Sequence, residues 1–437
     1  MKDFIQKMRL WLKSHLSIIR PQHRRWQETA ILVSQKKRIA QGVKRFFDEN
    51  YELRYNTIKQ YEEFRPRQPE EPSHGTEKPT HGAEEAPHEA EKATQEWRQL
   101  TDRDLRRIVF EQMEQVGVAW SIDIELYVRS SILRNYNPIA DFLASCPPWD
   151  GQTDYIRQLA RRVPCSFPEW PDWFHRWFLA MVAQWQQRSR DYGNALVPML
   201  IGGQGTHKST FCKLILPPAL REYYIDDIKL DSSEQVERML GRMLLVNIDE
   251  YNAKTDREQA KIKRVLTERD VQTRKMRSDQ YIMLPRMASF IATTNEREPL
   301  NDPTGSRRYL CCEVTGIIDT STPIPYGQLY AQAQYELNAG APWHFSKEEE
   351  TVIERHNQSY QQQSSTEQLL LAYFEPAERN KEHFMLAVEI LQEMRQHVRP
   401  TDMPSLKLLT LALKRCHFPY GRIHGNRGWY AQRRNTQ

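Results

Sequence analysis

The residues of this chain best suited to chemistry lie in the segment 202–210, whose sequence is GGQGTHKST. An apolar run, 195–201, precedes the segment, and a helix-like run, 211–216, follows it. A strand, a glycine-rich turn and a helix in this order are typical of loops that bind nucleotide phosphates through backbone N–H groups. In such a loop Lys208 would contact phosphate oxygens, and the hydroxyl of Ser209 would bind Mg²⁺. The alternative is a glycine-rich turn without a ligand.

The candidate cofactor-binding residues, with ATP as the expected cofactor, are Gly202, Gly203, Gln204, Gly205, Thr206, His207, Lys208, Ser209 and Thr210. His207 stands where the phosphate-loop pattern has a glycine, immediately before the lysine. If this position requires a positive φ angle, histidine costs roughly 1–2 kcal/mol relative to glycine. If it does not, the imidazole only adds bulk beside the phosphates.

A second chemical signal is the pair of carboxylates Asp249 and Glu250, which ends the nearly continuous apolar run 242–250. Such a run is typical of a buried parallel strand, and α/β sheets bind ligands at the carboxyl ends of their strands. Asp249 is therefore a candidate Mg²⁺ ligand beside Ser209. Glu250 is a candidate base that orients and deprotonates an attacking water. The alternative is a strand followed by an ordinary charged loop.

A third apolar run, 288–294, predicts another buried strand and ends in Asn295. The amide of Asn295 is placed where a γ-phosphate or an attacking water could be sensed. The turn 302–308 follows and carries Arg307 and Arg308. An arginine on such a turn can stabilise developing phosphoryl charge, including across a subunit boundary, although two surface arginines are the alternative. The candidate catalytic residues are thus Glu250, Asn295, Arg307 and Arg308.

The order of the motifs GGQGTHKS, LLVNIDE, FIATTN and GSRRY resembles the virulence-associated protein E family. That family is related to the superfamily 3 helicases and lies within the AAA+ ATPases. Two upstream stretches, 136–151 and 51–65, also resemble segments of the family, so the resemblance covers roughly residues 45–345. The chain departs from the family's phosphate loop at His207, which puts the rate of hydrolysis in question more than the fold.

The resemblance implies an α/β P-loop NTPase core. The helical and hairpin patterns of the sequence predict that a helical N-terminal region and a C-terminal winged-helix-like domain flank this core. The resemblance further implies a ring of identical subunits, with six as the expected number, that hydrolyses ATP with Mg²⁺ between neighbours and pulls on DNA. A mobile genetic element would encode such a protein for DNA replication. The chain shows no primase site, so a primase would be a separate partner.

The interval 267–281 would hold the hairpin that superfamily 3 helicases project into the channel of the ring. Three cationic residues and one aromatic residue could track a phosphate backbone and stack on a base of single-stranded DNA. The candidate nucleic-acid residues are Arg274, Lys275, Arg277 and Tyr281. The alternative is an exposed hairpin with ordinary solvated charge.

The composition of the chain narrows the class of protein. It has 437 residues, 62 Lys and Arg against 57 Asp and Glu, and a net charge of +5, which by itself says little about nucleic acid. No apolar stretch reaches the ~18 residues of a membrane-spanning helix, and residues 1–20 form an amphipathic pattern instead of a secretory signal. The six cysteines have no zinc-site spacing, so we expect a reduced, cytoplasmic protein.

We expect five segments along the chain. They are a basic helical arm at 1–45, a mostly helical domain at 46–190 with a disordered insert at 66–95, the ATPase core at 191–320, a helical segment at 321–375, and a winged-helix-like domain at 376–437. The basic arm is equally compatible with a solvated helix and with a DNA- or partner-binding element.

Two further patterns lie outside the core motifs. Trp173, Trp177 and Trp185 fall on a broadly similar face of one predicted helix, and a packed core is favoured over a base-stacking platform.

Near the C-terminus, two helical patterns precede a hairpin-like stretch, 418–430, which is the element order of a winged helix. Its basic residues are Lys407, Lys414, Arg415, Arg422, Arg427, Arg433 and Arg434. They suit DNA, with protein contact as the alternative.

Two other functional classes stay open. One is a defence or regulatory ATPase that assembles without unwinding DNA. The other is a DNA-binding initiator in which ATP only controls assembly. Stimulation of hydrolysis by single-stranded DNA favours a helicase, and tight duplex binding without strand separation favours an initiator.

Overall fold

A computed structural model describes residues 33–67, 96–118, 120–188, 193–226, 233–251, 256–274, 281–300, 306–397, 399–400 and 403–434. The described chain divides into two compact units. The first takes the residues as far as Ala144, and the second takes those from Ser145 onward, apart from Arg274, which groups with the first. No described helix has the length and apolar character needed to cross a membrane.

The first unit is a four-stranded sheet with helices against it. Its strands are β1 (Tyr51–Asn56), β2 (Tyr61–Pro66), β3 (Arg98–Gln99) and β4 (Arg134–Tyr136), in the order β3-β2-β1-β4. Its helices are 33–50, Asp102–Val116, Ser121–Val128 and Pro138–Ser145, the last of which ends one residue beyond the unit. The core lies between sheet and helices, where Phe47, Phe64 and Ile108 are buried. Thr101 begins the helix Asp102–Val116 with a capping box.

The second unit is built around a parallel sheet. Its strands as far as residue 313 are β5 (Val197–Ile201), β6 (Tyr224–Ile225), β7 (Leu245–Ile248), β8 (Asp270–Arg274), β9 (Tyr281–Pro285), β10 (Ser289–Thr294) and β11 (Tyr309–Glu313). The five-stranded sheet has the order β11-β5-β10-β7-β6, and all its pairs are parallel. β5 and β10 are buried along their whole length, as their continuous apolar sequences predict. The chain is therefore a mixed α/β protein with a parallel sheet.

Helices surround the sheet and continue toward the C-terminus. They are Tyr155–Ala160, Trp170–Trp185, Lys208–Leu214, Ser233–Arg242, Asp256–Thr267, Tyr326–Asn338, Lys347–Asn357, Ser365–Tyr373, Ala387–Met394 and Leu406–Arg415, with 3₁₀ turns at Pro218–Tyr223, Ser306–Arg308, Gln358–Tyr360 and Lys381–His383. Ser346 begins Lys347–Asn357 with a capping box. Trp173, Trp177 and Trp185 are at most 7% exposed, which confirms a packed core over a base-stacking platform.

The helix Trp170–Trp185 belongs to the second unit because its end is bonded to residues flanking the sheet strands. The Gln184 side chain donates to the carbonyl of Ala288 over 2.8 Å, and the Trp185 indole donates to the carbonyl of Leu244 over 3.3 Å. These contacts explain why the division of the chain falls before this helix.

A small sheet lies at the end of the second unit. It contains β12 (Phe374–Pro376), β13 (Phe384–Met385), β14 (Tyr420–Ile423) and β15 (Asn426–Arg433), with β15 paired to the other three. Gly428 is required on β15, because a Cβ there would lie 2.7 Å from the carbonyl of Met385. β14 and β15 form the predicted hairpin, which follows the helix Leu406–Arg415.

Candidate functional site

The carboxyl ends of three neighbouring strands bring the first three sequence motifs together. β10 lies between β5 and β7, with Thr294 opposite Ile201 on β5 and Ala292 opposite Ile248 on β7. The residues that follow these strands therefore meet at one edge of the sheet. They enclose a cleft of about 300 Å³. It is lined by Gln204, Gly205, Thr206, His207, Lys208, Ser209, Thr210, Asp249, Glu250, Thr293, Thr294 and Asn295.

The turn 202–207 needs glycine at two positions for different reasons. A Cβ on Gly202 would lie 3.0 Å from the carbonyl oxygen of Val314, so the backbone approaches the next strand too closely for a side chain. Gly205 has a φ of +76°, which side chains rarely adopt. The turn is closed by the hydroxyl of Thr206, which donates to the carbonyl of Gly203 over 2.9 Å.

His207 has the positive φ that the glycine of the usual pattern would supply. Its φ is 65° and its ψ is 25°, so a left-handed residue precedes the helix Lys208–Leu214. The conformation costs histidine roughly 1–2 kcal/mol relative to glycine. The imidazole Nδ1 lies 3.4 Å from the hydroxyl of Thr320. His207 is therefore a strained position, which the sequence pattern left undecided.

Lys208 is the buried cation of the cleft, with an exposed fraction of 8%. Its ammonium donates to the carbonyl oxygens of Gly202 and Gly203, each over 2.7 Å, and to the amide oxygen of Asn295 over 3.0 Å. Burial lowers the pKa of Lys208, although the carboxylate of Asp249 opposes the shift. The contact with Asn295 joins the first and third sequence motifs directly.

Ser209 and Asp249 form the hydroxyl–carboxylate pair that the sequence predicts. The Ser209 hydroxyl donates to the Asp249 Oδ1 over 2.8 Å. The same carboxylate oxygen accepts from the hydroxyl of Thr293 and, over 3.3 Å, from the side-chain amide of Asn247. The second pair of donors holds Asp249 in a fixed orientation toward the cleft.

Thr293 and Asn247 are site residues that the sequence analysis did not identify. Asn247 is fully buried in the middle of β7, and Thr293 is buried near the end of β10. A polar residue inside an otherwise apolar strand is the available signal, because a buried polar side chain needs a partner. The signal does not say which residue that partner is.

Glu250 follows Asp249 on a turn and lines the same cleft. Its φ of 49° is positive, a conformation that costs a residue with a side chain about 1–2 kcal/mol. Among the described residues no hydrogen bond or ion pair holds its carboxylate. The side chain is exposed and free to accept a proton from a molecule in the cleft.

The two arginines of the 3₁₀ turn Ser306–Arg308 do not line the cleft. Arg307 forms an ion pair with Glu350 over 3.1 Å. Arg308 is half-buried, and within the described chain it has no hydrogen bond or ion pair. The structure therefore separates the candidate arginines from the other candidate catalytic residues within one chain.

Two of the four candidate nucleic-acid residues lie at strand ends in a two-stranded sheet. Arg274 ends β8, and Tyr281 begins β9 with 65% of its surface exposed. Lys275 and Arg277 lie outside the described residues. The hairpin expected between the second and third core strands is present as these two paired strands.

The donors and acceptors of the cleft fit a phosphate with Mg²⁺. Mg²⁺ is usually bound by one or two protein oxygens, together with waters and phosphate oxygens. Ser209 and Asp249 would supply such a pair, and Lys208 would supply the positive charge for the phosphate. In the described parts of the chain no group of three or more His, Cys, Asp or Glu side chains could hold a different metal.

The chain is similar to two solved structures of the NrS-1 C-terminal region. One is titled the apo structure of residues 305–718 of that protein and the other its A form apo structure; the TM-scores are 0.47 and 0.45. Each is 12% identical and covers 89% of this chain and 97% of the other chain. A comparison with curated proteins finds no match.

A family model described as the virulence-associated protein E-like domain matches residues 143–362. The match spans half of the chain and includes the whole parallel sheet and the cleft at its edge. The chain therefore belongs to the virulence-associated protein E-like domain family.

Proposed function

We propose that this chain is a Mg²⁺-dependent ATPase of the AAA+ type, related to superfamily 3 helicases, and that ATP hydrolysis moves it along DNA. One observation carries the proposal. A buried lysine, a hydroxyl–carboxylate pair and a second carboxylate meet in a single cleft at the carboxyl ends of three adjacent parallel strands. This is where α/β sheets bind their ligands.

Each side chain has a distinct task in hydrolysis. Lys208 and the backbone N–H groups of the turn bind the phosphates of ATP, and Asn295 orients the Lys208 ammonium. Ser209 and Asp249 hold Mg²⁺, which neutralises phosphate charge when it is bound. Glu250 accepts a proton from the attacking water, since its carboxylate is exposed to the cleft.

We propose that ATP is hydrolysed between neighbouring copies in a ring, with six as the expected number. The separation of the arginine turn from the cleft supports this arrangement, because an arginine that stabilises phosphoryl charge must then come from another copy. Arg308 is the better candidate, since Arg307 is already paired with Glu350. Arg274 and Tyr281 on the hairpin would contact single-stranded DNA in the channel of the ring.

Family membership supports a mobile genetic element as the source and DNA replication beside a separate primase as the role. An ATPase that assembles without unwinding DNA, and an ATP-controlled initiator, are the other candidates. Single-stranded DNA distinguishes them from the translocase: it should raise the rate of ATP hydrolysis several-fold if the hairpin contacts the strand. No stimulation by single-stranded DNA would favour the other two.

The catalytic assignment is tested with Glu250→Gln. We expect ATP hydrolysis to fall by roughly 100-fold or more, the usual contribution of a general base, while ATP binding is retained. Glu296→Gln is the matched control, because it removes the same charge just outside the cleft. Phosphate release and nucleotide affinity are measured for both. Hydrolysis by Glu250→Gln at the unmutated rate would remove Glu250 from the mechanism.

The arginine assignment is tested by mixing two inactive chains. Arg308→Ala should bind ATP and assemble but hydrolyse poorly, and Lys208→Ala should not bind ATP. Mixed rings contain some interfaces that pair an intact phosphate loop with an intact arginine, so part of the activity should return. Arg307→Ala is the control. No rescue at any ratio, with mixed assembly confirmed, would show that the arginine does not act on a neighbour.

A further inference from the structure

The segment 403–434 carries a one-sided charge. It contains seven Lys and Arg residues and no Asp or Glu, although the whole chain has nearly equal numbers of both signs. The segment forms the helix Leu406–Arg415 and the hairpin of β14 and β15. Positive charge concentrated on one helix and one hairpin is the electrostatic pattern of a surface that binds a polyanion.

Ion pairs with other segments neutralise three of the seven cations. The guanidinium of Arg415 lies 2.9 Å from the buried carboxylate of Glu367. Arg433 donates to Glu393 over 2.8 Å, and Arg434 lies 3.4 Å from Glu375. Glutamate partners offset the charge of these three arginines, although Arg433 and Arg434 remain exposed.

Four cations remain without an ion pair among the described residues. They are Lys407, Lys414, Arg422 and Arg427, and all four side chains are exposed. Two lie on the helix and two on the hairpin, and only residues 416–419 separate the helix from β14. No described ion pair neutralises these four cations, although Lys414 lines a cleft that also contains Glu354 and Glu367.

The two hairpin arginines lie directly opposite each other. In the antiparallel register of β14 and β15, Arg422 pairs with Arg427. Like charges in this position destabilise a hairpin, unlike the opposite charges that usually occupy such pairs. The turn beyond them, His424 and Gly425, has positive φ at both residues and contributes no acidic side chain. A phosphate between the two guanidinium groups would convert this repulsion into attraction.

The helix Leu406–Arg415 presents its two exposed lysines on one face. Leu409, Ala412 and Leu413 are buried, whereas Lys407 and Lys414 are exposed on either side of Leu411. The two lysines are two turns apart, or about 10 Å along the helix axis. Seven residues apart, the two lysines lie on one face of the helix, and the major groove of a duplex, about 12 Å wide, admits a helix.

We infer that the helix Leu406–Arg415 and the hairpin of β14 and β15 bind duplex nucleic acid, with the helix in the major groove and Arg422 and Arg427 on the backbone. Trp429 and Tyr430 of the hairpin are buried, so Tyr420, which is 47% exposed, is the one aromatic side chain of the hairpin that a base could stack on. The exposed Leu408 and Leu411 would contact base edges such as the thymine methyl group. This surface does not use the ATP cleft.

The test measures binding of the full chain, without nucleotide, to a fluorescent 30-base-pair duplex over a range of salt concentrations. Arg422→Gln/Arg427→Gln should weaken binding by about tenfold or more and should reduce the slope of log K against log [salt] by roughly 2, one for each phosphate contact. Arg433→Gln/Arg434→Gln is the matched control, because it removes equal charge from arginines that are already paired. The control should change affinity and slope little.

A second pair, Lys407→Gln/Lys414→Gln, tests the helix in the same way and should also reduce the salt slope. The inference is overturned if the arginine and lysine variants bind the duplex like the unmutated chain, or if the paired-arginine control loses as much affinity. It is also overturned if the variants lose only self-association or single-strand binding.

Duplex binding is independent of the proposed ATPase. Lys208→Ala should bind the duplex as tightly as the unmutated chain, and Arg422→Gln/Arg427→Gln should keep the basal rate of ATP hydrolysis. Failure of the ATPase proposal would therefore leave duplex binding unchanged, and loss of duplex binding would leave hydrolysis unchanged.

Discussion

Arg286 and Lys208 are both buried cations of the α/β unit, with exposed fractions of 2% and 8%. Burial lowers the pKa of both groups. Arg286 donates to backbone carbonyl oxygens of five residues: Val265, Leu266 and Glu268 at the end of one helix, Asn194 before β5, and Ala288 before β10. Lys208 also binds carbonyl oxygens, but its ammonium lines a cleft.

The difference shows that burial and a lowered pKa do not by themselves identify a functional cation. The hydrogen-bond partners of Arg286 are backbone carbonyl oxygens, one of which, that of Ala288, also accepts from Gln184, so its charge stabilises the backbone around it. The neighbours of Lys208 include the amide of Asn295, and the cleft also contains Ser209, Asp249 and Glu250. Open space beside the charge, together with other reactive groups, is what distinguishes the second cation.

The largest expected effect is the loss of stability in Arg286→Ala. Several buried carbonyl oxygens would lose their donor, which we expect to cost at least ~3 kcal/mol and to lower the midpoint of thermal unfolding by roughly 6–12 °C. Arg264→Ala is the control, because Arg264 is exposed and its ion pair with Glu268 is long, at 3.8 Å. If the midpoint of thermal unfolding fell by the same small amount in both variants, a structural role for Arg286 would be contradicted.

Lys208→Ala should show the opposite pattern. We expect ATP affinity to fall about 100-fold, since charge-assisted bonds to phosphate are lost, while the thermal midpoint changes by no more than a few degrees. Lys208→Met keeps the aliphatic stem in the buried slot and controls for packing. Calorimetric titration with ATP and thermal unfolding are measured side by side. A large drop in the thermal midpoint would make Lys208 a structural cation like Arg286.

The pKa of Lys208 gives this comparison a pH dependence. Because the folded pKa lies below the unfolded one, the unfolded chain binds more protons between the two values, and the stability contributed by this group rises as pH increases through that window. ATP affinity should fall over the same alkaline window, as the ammonium loses its charge. The pH dependence of stability and that of ATP affinity should both disappear in Lys208→Met. If either persisted, another titrating group would be its cause.

His207→Gly should have a smaller effect. Glycine relieves the left-handed strain of roughly 1–2 kcal/mol, but it also gives the unfolded chain more freedom, so a net gain in stability of about 0.5–1 kcal/mol is expected. ATP affinity should be retained or increased. His207→Ala is the control, because it removes the imidazole and keeps the strain. A large loss of affinity in both variants would show that the imidazole contacts the nucleotide.

The smallest effect concerns the thiol of Cys165, whose pKa is shifted in the opposite direction to those of the buried thiols. Hydrogen bonding from Cys312 lowers the pKa of Cys165 to about 7, whereas burial raises the pKa of Cys311 and Cys312. Alkylation of Cys165 should therefore be half-maximal near pH 7, and Cys312→Ala should move that midpoint toward higher pH. Mass spectrometry of the modified peptides over a pH series checks this. Equal midpoints in the two proteins would exclude the contact as the cause.

Much of the α/β core could be predicted from the sequence because its signals are local. The continuous apolar runs before Gly202, Asp249 and Asn295 predict buried strands, and the structure has β5, β7 and β10 at these places. The Ser346 capping box is also local, since the cap and its partner are three residues apart. Residue types after each strand end were sufficient to nominate Lys208 and Asp249, because parallel strands place their carboxyl ends at one edge.

Tertiary structure alone decided which side chains are partners. Nothing local indicates that Thr293 and Asn247 both donate to Asp249, that Arg307 but not Arg308 is held by an ion pair, or that Arg422 lies opposite Arg427. These facts depend on strand order and register, which long-range packing sets. The φ of His207 belongs to the same class, because the closed turn around it imposes the backbone conformation that its own side chain disfavours.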